Sequence, residues 1–95
     1  MSCKILQTKE FETWLNWLNA DDRRLVEARL ARIKEHGHFG TVNRFEGLTE
    51  LKWKSGLRVY TAVRPPDMVI VLLGGNKNGQ DKDIRRAKKL LSQID

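Results

Sequence analysis

LTELKWKSGLRVYTAVRPPDMVIVLL, residues 48–73, decides how this chain folds. LTELKWK alternates, placing Leu51 and Trp53 on one side and Glu50, Lys52 and Lys54 on the other, the period of a half-buried strand. Ser55-Gly56 is a tight-turn signal, so LRVYTAV is expected to return as the antiparallel partner, with Val59 and Val63 opposing Arg58, Tyr60 and Arg64. Pro65-Pro66-Asp67 marks a second turn, with proline suited to its first central position. MVIVLL is β-branched and continuously apolar, the signature of a central strand covered on both faces. Three such strands joined by turns make an antiparallel meander.

Working outward, the N-terminal CKILQT reads as a short strand. Thr8 is placed to cap a helix whose apolar positions Phe11, Trp14, Leu15 and Leu18 share one face, with Trp17 at its edge. The break at NADD offers Asp21 or Asp22 as the cap of a second helix, in which Val26, Leu30 and Ile33 form the buried face. Arg23, Arg24, Arg29, Arg32 and Lys34 fall mostly on its remaining surface, and Gly37 is a natural stop. So short a linker predicts a helical hairpin. Beyond the meander, Gly74-Gly75 is expected to end the central strand and let the chain turn. Asp81 or Asp83 then starts a closing helix carrying Ile84, Ala87, Leu91 and Ile94 on one face. The predicted fold is α+β, a single domain over residues 1–95 in the order β-α-α-β-β-β-α. An N-terminal helical hairpin packs on one face of the sheet, and a C-terminal helix completes it.

Composition bounds the function. Ninety-five residues make one domain near the lower limit for a self-sufficient core. The longest apolar run is far short of a membrane span, which needs roughly 20 residues. The N-terminus has no apolar stretch of signal-peptide length, and the single cysteine, Cys3, cannot form an internal disulfide. A cytoplasmic protein with no membrane partner is expected. The net charge of +6 lies entirely in residues 52–95, where ten Lys/Arg face four Asp/Glu, an electrostatic footprint for a polyanion or an acidic protein.

Several chemistries fail on spacing. Gly74 and Gly79 stand as far apart as the glycines of a phosphate-binding loop, but Gln80 and Asp81 occupy the positions of its lysine and hydroxyl residue. His36 and His38, in a glycine-rich turn with no cysteine pair, form a poor metal set. Cys3 has no base partner in sequence. Neither a metal nor a small-molecule cofactor is expected. The cations form the stronger constellation: Lys52 and Lys54 on one strand face Arg58 and Tyr60 on its partner. The third strand should deliver Asn76, Lys77 and Gln80 to the same sheet end. Several fixed cations around one phosphodiester can orient it and stabilise the negative charge that develops during cleavage. The competing reading is a set of solvated residues on an outward face.

The pattern F-x-x-W-L-x-x-L (Phe11 to Leu18), G-x-x-E-L-K (Gly47 to Lys52), R-V-Y (Arg58 to Tyr60), L-L-G-G-x-K (Leu72 to Lys77) and Q-x-K-D-I-x-x-A (Gln80 to Ala87) runs through nearly the whole chain. It resembles the RelE/ParE superfamily of bacterial toxins and, within it, the HigB-like addiction module killer branch. The resemblance implies the toxin of a type II toxin–antitoxin pair, restrained by a cognate antitoxin. It further implies a metal-independent endoribonuclease that cuts mRNA on the ribosome and so inhibits translation. Its implied catalytic residues are Arg58, Lys77, Lys52, Lys54 and Glu50. The residues implied to hold RNA are Tyr60, Gln80, Lys82, Arg85 and Arg86. No tyrosine follows Tyr60 in this chain, so the acid and base stay unassigned. The alternatives are a ParE-like inhibitor of DNA gyrase and a non-catalytic module that only binds its antitoxin.

Overall fold

The computed structural model describes residues 2–94. The elements run β1 (Lys4–Gln7), α1 (Lys9–Trp17), α2 (Ala20–His36), β2 (Val42–Phe45), β3 (Leu48–Lys52), β4 (Leu57–Arg64), β5 (Met68–Asn76), a 3-10 turn (Lys77–Gly79) and α3 (Gln80–Ile94). The five strands form one sheet in the order β1-β5-β4-β3-β2. The meander is antiparallel as expected, while β1 joins β5 in parallel.

One strand was not expected. β2 pairs antiparallel with β3, Val42 opposite Leu51 and Phe45 opposite Leu48. Its two-residue loop, Glu46-Gly47, has positive φ at both positions (49° and 81°), the handedness that matches strand twist. The strand is short, lies at the sheet edge and leaves Asn43 and Arg44 exposed, so it has little apolar alternation to announce it.

Both faces of the sheet are covered. On one, Phe11 of α1 and Val26, Leu30 and Ile33 of α2 pack on Leu51, Leu57, Val59, Val69 and Val71. On the other, Ala87 of α3, with Ile84, Leu90 and Leu91, packs on Leu48, Tyr60, Ala62, Ile70, Leu72 and Leu73. The apolar run of β5 therefore serves two cores, as its sequence required. A bulge interrupts its alternation: Tyr60 pairs with Leu73 and Thr61 with Val71, leaving Leu72 as the extra residue. Thr8 ties this irregularity to α1. Its hydroxyl donates to the Leu72 carbonyl (2.6 Å) and accepts from the Phe11 amide (3.0 Å) as the helix cap.

The structure corrects several local readings. Asn19, not Asp21 or Asp22, caps α2, its side chain accepting from the Asp22 amide at 2.8 Å. Trp17 does not pack at the helix edge and is 84% exposed. Gly37 ends α2 with φ 71°, as read. Arg23 turns back to donate to the carbonyls of Leu15, Asn16 and Leu18, satisfying the last turn of α1. Gly74 and Gly75 do not end β5, which runs on to Asn76. Their role is close approach: a Cβ at Gly74 would stand 2.1 Å from the Trp14 ring, and one at Gly75 would stand 2.1 Å from the Asp83 carboxylate. No helix among the described residues is long and apolar enough to cross a membrane.

Candidate functional site

The turn end of the β3–β4 hairpin and the C-terminal end of β5 build the site. Lys52 stands directly opposite Arg58 on the paired strands, and Arg58 in turn pairs with Gly75. Lys54 follows in the turn. The amide of Lys77 donates to the Gly56 carbonyl (2.9 Å), and its side chain lies over that glycine. Gly56, with φ 105°, gives the turn a backbone that a side chain would strain. Lys52, Lys54, Arg58 and Lys77, with Thr41 and Trp53, line a cleft of about 330 Å³. The four cations expected to act together are thus brought to one cavity.

Arg58 is held within it. Its Nη1 donates to the carbonyls of Leu57 (2.8 Å) and Trp53 (3.0 Å). Nη1 therefore cannot reach a phosphate oxygen without releasing these carbonyls. Its Nε is buried and makes no hydrogen bond to the described residues.

Arg29 was read as a surface residue of α2, and the structure turns it inward. Its Nε donates to the Phe39 carbonyl at 2.8 Å, Nη1 to that of Lys52 and Nη2 to that of Thr41. The guanidinium also lies 4.4 Å from the centre of the Trp53 ring. Burial, with the like charge of Arg32, lowers its pKa from the ordinary arginine value. Neither Arg29 nor Trp53 was singled out as a site residue. An arginine on a helix surface carries no local signal that it will reach across to a sheet.

Glu50 and Tyr60 occupy different ground. Both are fully buried between the sheet and α3 and stand opposite each other on β3 and β4. One Glu50 oxygen accepts from Gln80 (2.7 Å) and the other from Asn43 (3.2 Å). The Tyr60 hydroxyl is close enough to this carboxylate to feel its charge but makes no hydrogen bond of good geometry to the described residues. Burial first, and then Glu50, pushes the phenol well above its ordinary pKa. A side chain with no exposed surface cannot lie against RNA, so Tyr60 is corrected from a message contact to a support beneath the site. The enclosed, doubly bonded Glu50 is likewise corrected from a reacting group to the anchor of Gln80.

The remaining expected RNA contacts fall on the start of α3. Lys77, Gln80, Lys82 and Arg85 line a second cavity of about 470 Å³, and Lys77 borders both clefts. Arg86 is exposed on α3 but does not line either one. Asp83 lies inward of this surface, its pKa raised by burial against the lowering effect of Lys82 and Arg86. The rings of His36 and His38 lie with centres 5.7 Å apart, and neither lines the cleft. Among the described residues no group of three or more His, Cys, Asp or Glu side chains could hold a metal ion.

Comparison with known proteins agrees with this architecture. The fold is that of the RelE toxins. An arginine-to-alanine double variant of E. coli toxin RelE in the free state superposes with a TM-score of 0.73 at 17% identity, over 94% of this chain and 98% of that one. The E. coli RelBE toxin–antitoxin complex gives 0.65 at 15% identity, over 79% and 96% of the two chains. The RelBE2 toxin–antitoxin complex from Mycobacterium tuberculosis gives 0.63 at 15%, over 80% and 99%. In sequence, no family model matches. The chain belongs to one family with an uncharacterised protein of Haemophilus influenzae, which is 36% identical over 98 residues, spanning 99% of this chain and 98% of its relative.

Proposed function

We propose that the chain is the toxin of a toxin–antitoxin pair, of the HigB-like kind that its sequence pattern resembles. In this reading it is a cytoplasmic endoribonuclease that cuts mRNA on the ribosome. The observation that carries this reading is the convergence of Lys52, Lys54, Arg58 and Lys77 on one cleft. In the proposed reaction the 2′-oxygen of one nucleotide attacks the adjacent phosphorus. The bond from phosphorus to the 5′-oxygen breaks, leaving a 2′,3′-cyclic phosphate and a 5′-hydroxyl. The 2′-hydroxyl loses its proton and the leaving 5′-oxygen gains one.

Negative charge builds on the phosphate oxygens between these events, and fixed cations stabilise it without reorganising. Arg58 is suited to this because two carbonyls hold its head in place. Lys52, Lys54 and Lys77 supply the remaining positive charge, and one of them can serve as the proton carrier. Lys82, Arg85 and Arg86 extend the positive surface along α3 for the message or the ribosomal RNA. Gln80 acts through Glu50, which fixes the first turn of α3 against the sheet. The antitoxin partner is proposed by analogy with the RelBE complexes that share the fold. An acidic segment of such a partner would neutralise the same cleft.

The test is inducible expression with mapping of message ends inside translated frames, for the native chain, Arg58→Ala and Lys77→Ala. In-frame cuts by the native chain that Arg58→Ala reduces by about 100-fold or more are expected for loss of one fixed transition-state donor. Growth arrest with intact messages and damaged or relaxed DNA would replace this reading with gyrase inhibition. Absence of any toxicity would leave an antitoxin-binding module.

A further inference from the structure

Trp53 sits in the β3–β4 turn between Lys52 and Lys54, flanked by the cations of the cleft it helps to line. Only part of its surface is buried, where its ring packs at the edge of the helical-hairpin core. The half-buried indole thus keeps part of its flat surface at the cleft.

Its orientation is nevertheless fixed. The Arg29 guanidinium lies 4.4 Å from the ring centre and is itself tied to three carbonyls, those of Phe39, Thr41 and Lys52. The backbone is fixed as well: the Trp53 carbonyl accepts from Arg58 Nη1 at 3.0 Å and from the Gly56 amide at 3.1 Å. The residue that presents the indole therefore also holds the guanidinium assigned to the phosphate. A flat aromatic surface beside fixed cations is the arrangement that binds single-stranded nucleic acid, with bases stacking on the ring while the cations follow the backbone.

We propose that Trp53 is a base-stacking platform in the cationic cleft, taking one unpaired base of a single-stranded RNA next to the phosphate held by Arg58. This rests on the reading of the cleft as an RNA site and names the subsite within it. Arg29 is a positioning residue for the platform. Stacking on an indole is sequence-tolerant, because every base has a π-face. The subsite thus contributes affinity and register, with little base selectivity.

The test uses a short 2′-O-methyl RNA strand, which cannot undergo internal cleavage, and a set of the same strand with one abasic residue moved along it. Equilibrium binding to the native protein is expected to weaken at one abasic position by about 5- to 150-fold, the range for loss of one base–aromatic stack. Trp53→Leu is expected to bind the parent strand more weakly by a similar factor and to lose sensitivity to that abasic position. Trp53→Phe keeps both the sensitivity and part of the affinity, and Arg29→Ala weakens binding at the same position. A flat abasic scan with the native protein would overturn the proposal, as would a native-like scan from Trp53→Leu or failure of the native protein to bind the parent strand. An acidic peptide that binds in the cleft with the same loss in Trp53→Leu, while RNA shows none, would assign the ring to a protein partner instead. Message cleavage in translating extracts is read separately. Its absence alongside an intact abasic signature would sink the nuclease reading and leave the base subsite standing.

Discussion

The side-chain amide of Gln80, the first residue of α3, donates to the buried carboxylate of Glu50 across 2.7 Å. This bond joins residues thirty positions apart and ties the start of the closing helix to β3. Lys77, Lys82 and Arg85 lie on either side of it along the chain, so the wall they form depends on a contact that none of them makes.

Gln80→Ala is expected to cost about 2 kcal/mol, the usual loss when a hydrogen bond to a buried charged group is removed. The shift of the urea midpoint measures it. Asn43 still serves the other Glu50 oxygen, which keeps the carboxylate from being wholly unpaired. A change below about 0.5 kcal/mol, the level of an ordinary surface substitution, would show that the contact does not hold the helix.

Gly74→Ala is expected to destabilise by about 3 kcal/mol, as a methyl group forced into a packed interior does at the upper end of that range. The added Cβ would meet the six-membered part of the Trp14 ring, which is packed at the edge of the helical-hairpin core and has little room to move. Gly75→Ala meets the end of the Asp83 side chain instead, which can swing aside. Thermal unfolding should therefore rank the two variants, with Gly74→Ala melting well below Gly75→Ala. Equal melting temperatures would contradict the close packing of Trp14 on β5.

The chain has a single tyrosine, so the absorbance of tyrosinate reports Tyr60 alone. Its folded pKa is raised above the unfolded value, chiefly by burial and next by Glu50. The native state therefore keeps its proton when the unfolded chain has lost it. The associated stability is fully present below the ordinary tyrosine value near ~10 and declines as pH rises from there toward the raised folded value. Ionisation is expected only above that ordinary range, together with loss of the fold, and Tyr60→Phe should remove this part of the alkaline sensitivity. Reversible titration near the ordinary value in a folded protein would place Tyr60 at the surface.

Much of the secondary structure was legible because burial imposes a period. The β3–β4 hairpin, the doubly covered β5, the Thr8 cap and the Gly37 stop all follow from short-range rules. β2 escaped because it is an edge strand with exposed polar residues and a Glu-Gly turn, a weaker signal than Asn-Gly. Trp17 escaped because an aromatic beside an apolar stripe is drawn inward on paper, whereas the structure leaves it in solvent. Asp21 and Asp22 were the cap candidates read from the NADD break, and only the backbone settled that Asn19 precedes the first helical residue.

Alternation alone put Lys52, Lys54, Arg58 and Tyr60 at one end of the meander, and the length of β5 brought Lys77 to the same end. Side-chain period is a local quantity, so the sequence determined it without help, whereas β5 ran past the glycines expected to end it. Whether each residue then met solvent, RNA or another side chain depended on what covered that end of the sheet. Once α3 lay across it, Glu50 and Tyr60 became interior while Lys52 and Arg58 kept the cleft. Arg29 reached the cleft residues from 23 positions away, through carbonyls that only the packed α2, β2 and β3 bring together. Contacts of that kind carry no short-range pattern, because they are set by how separate elements pack, and the tertiary structure alone decided them.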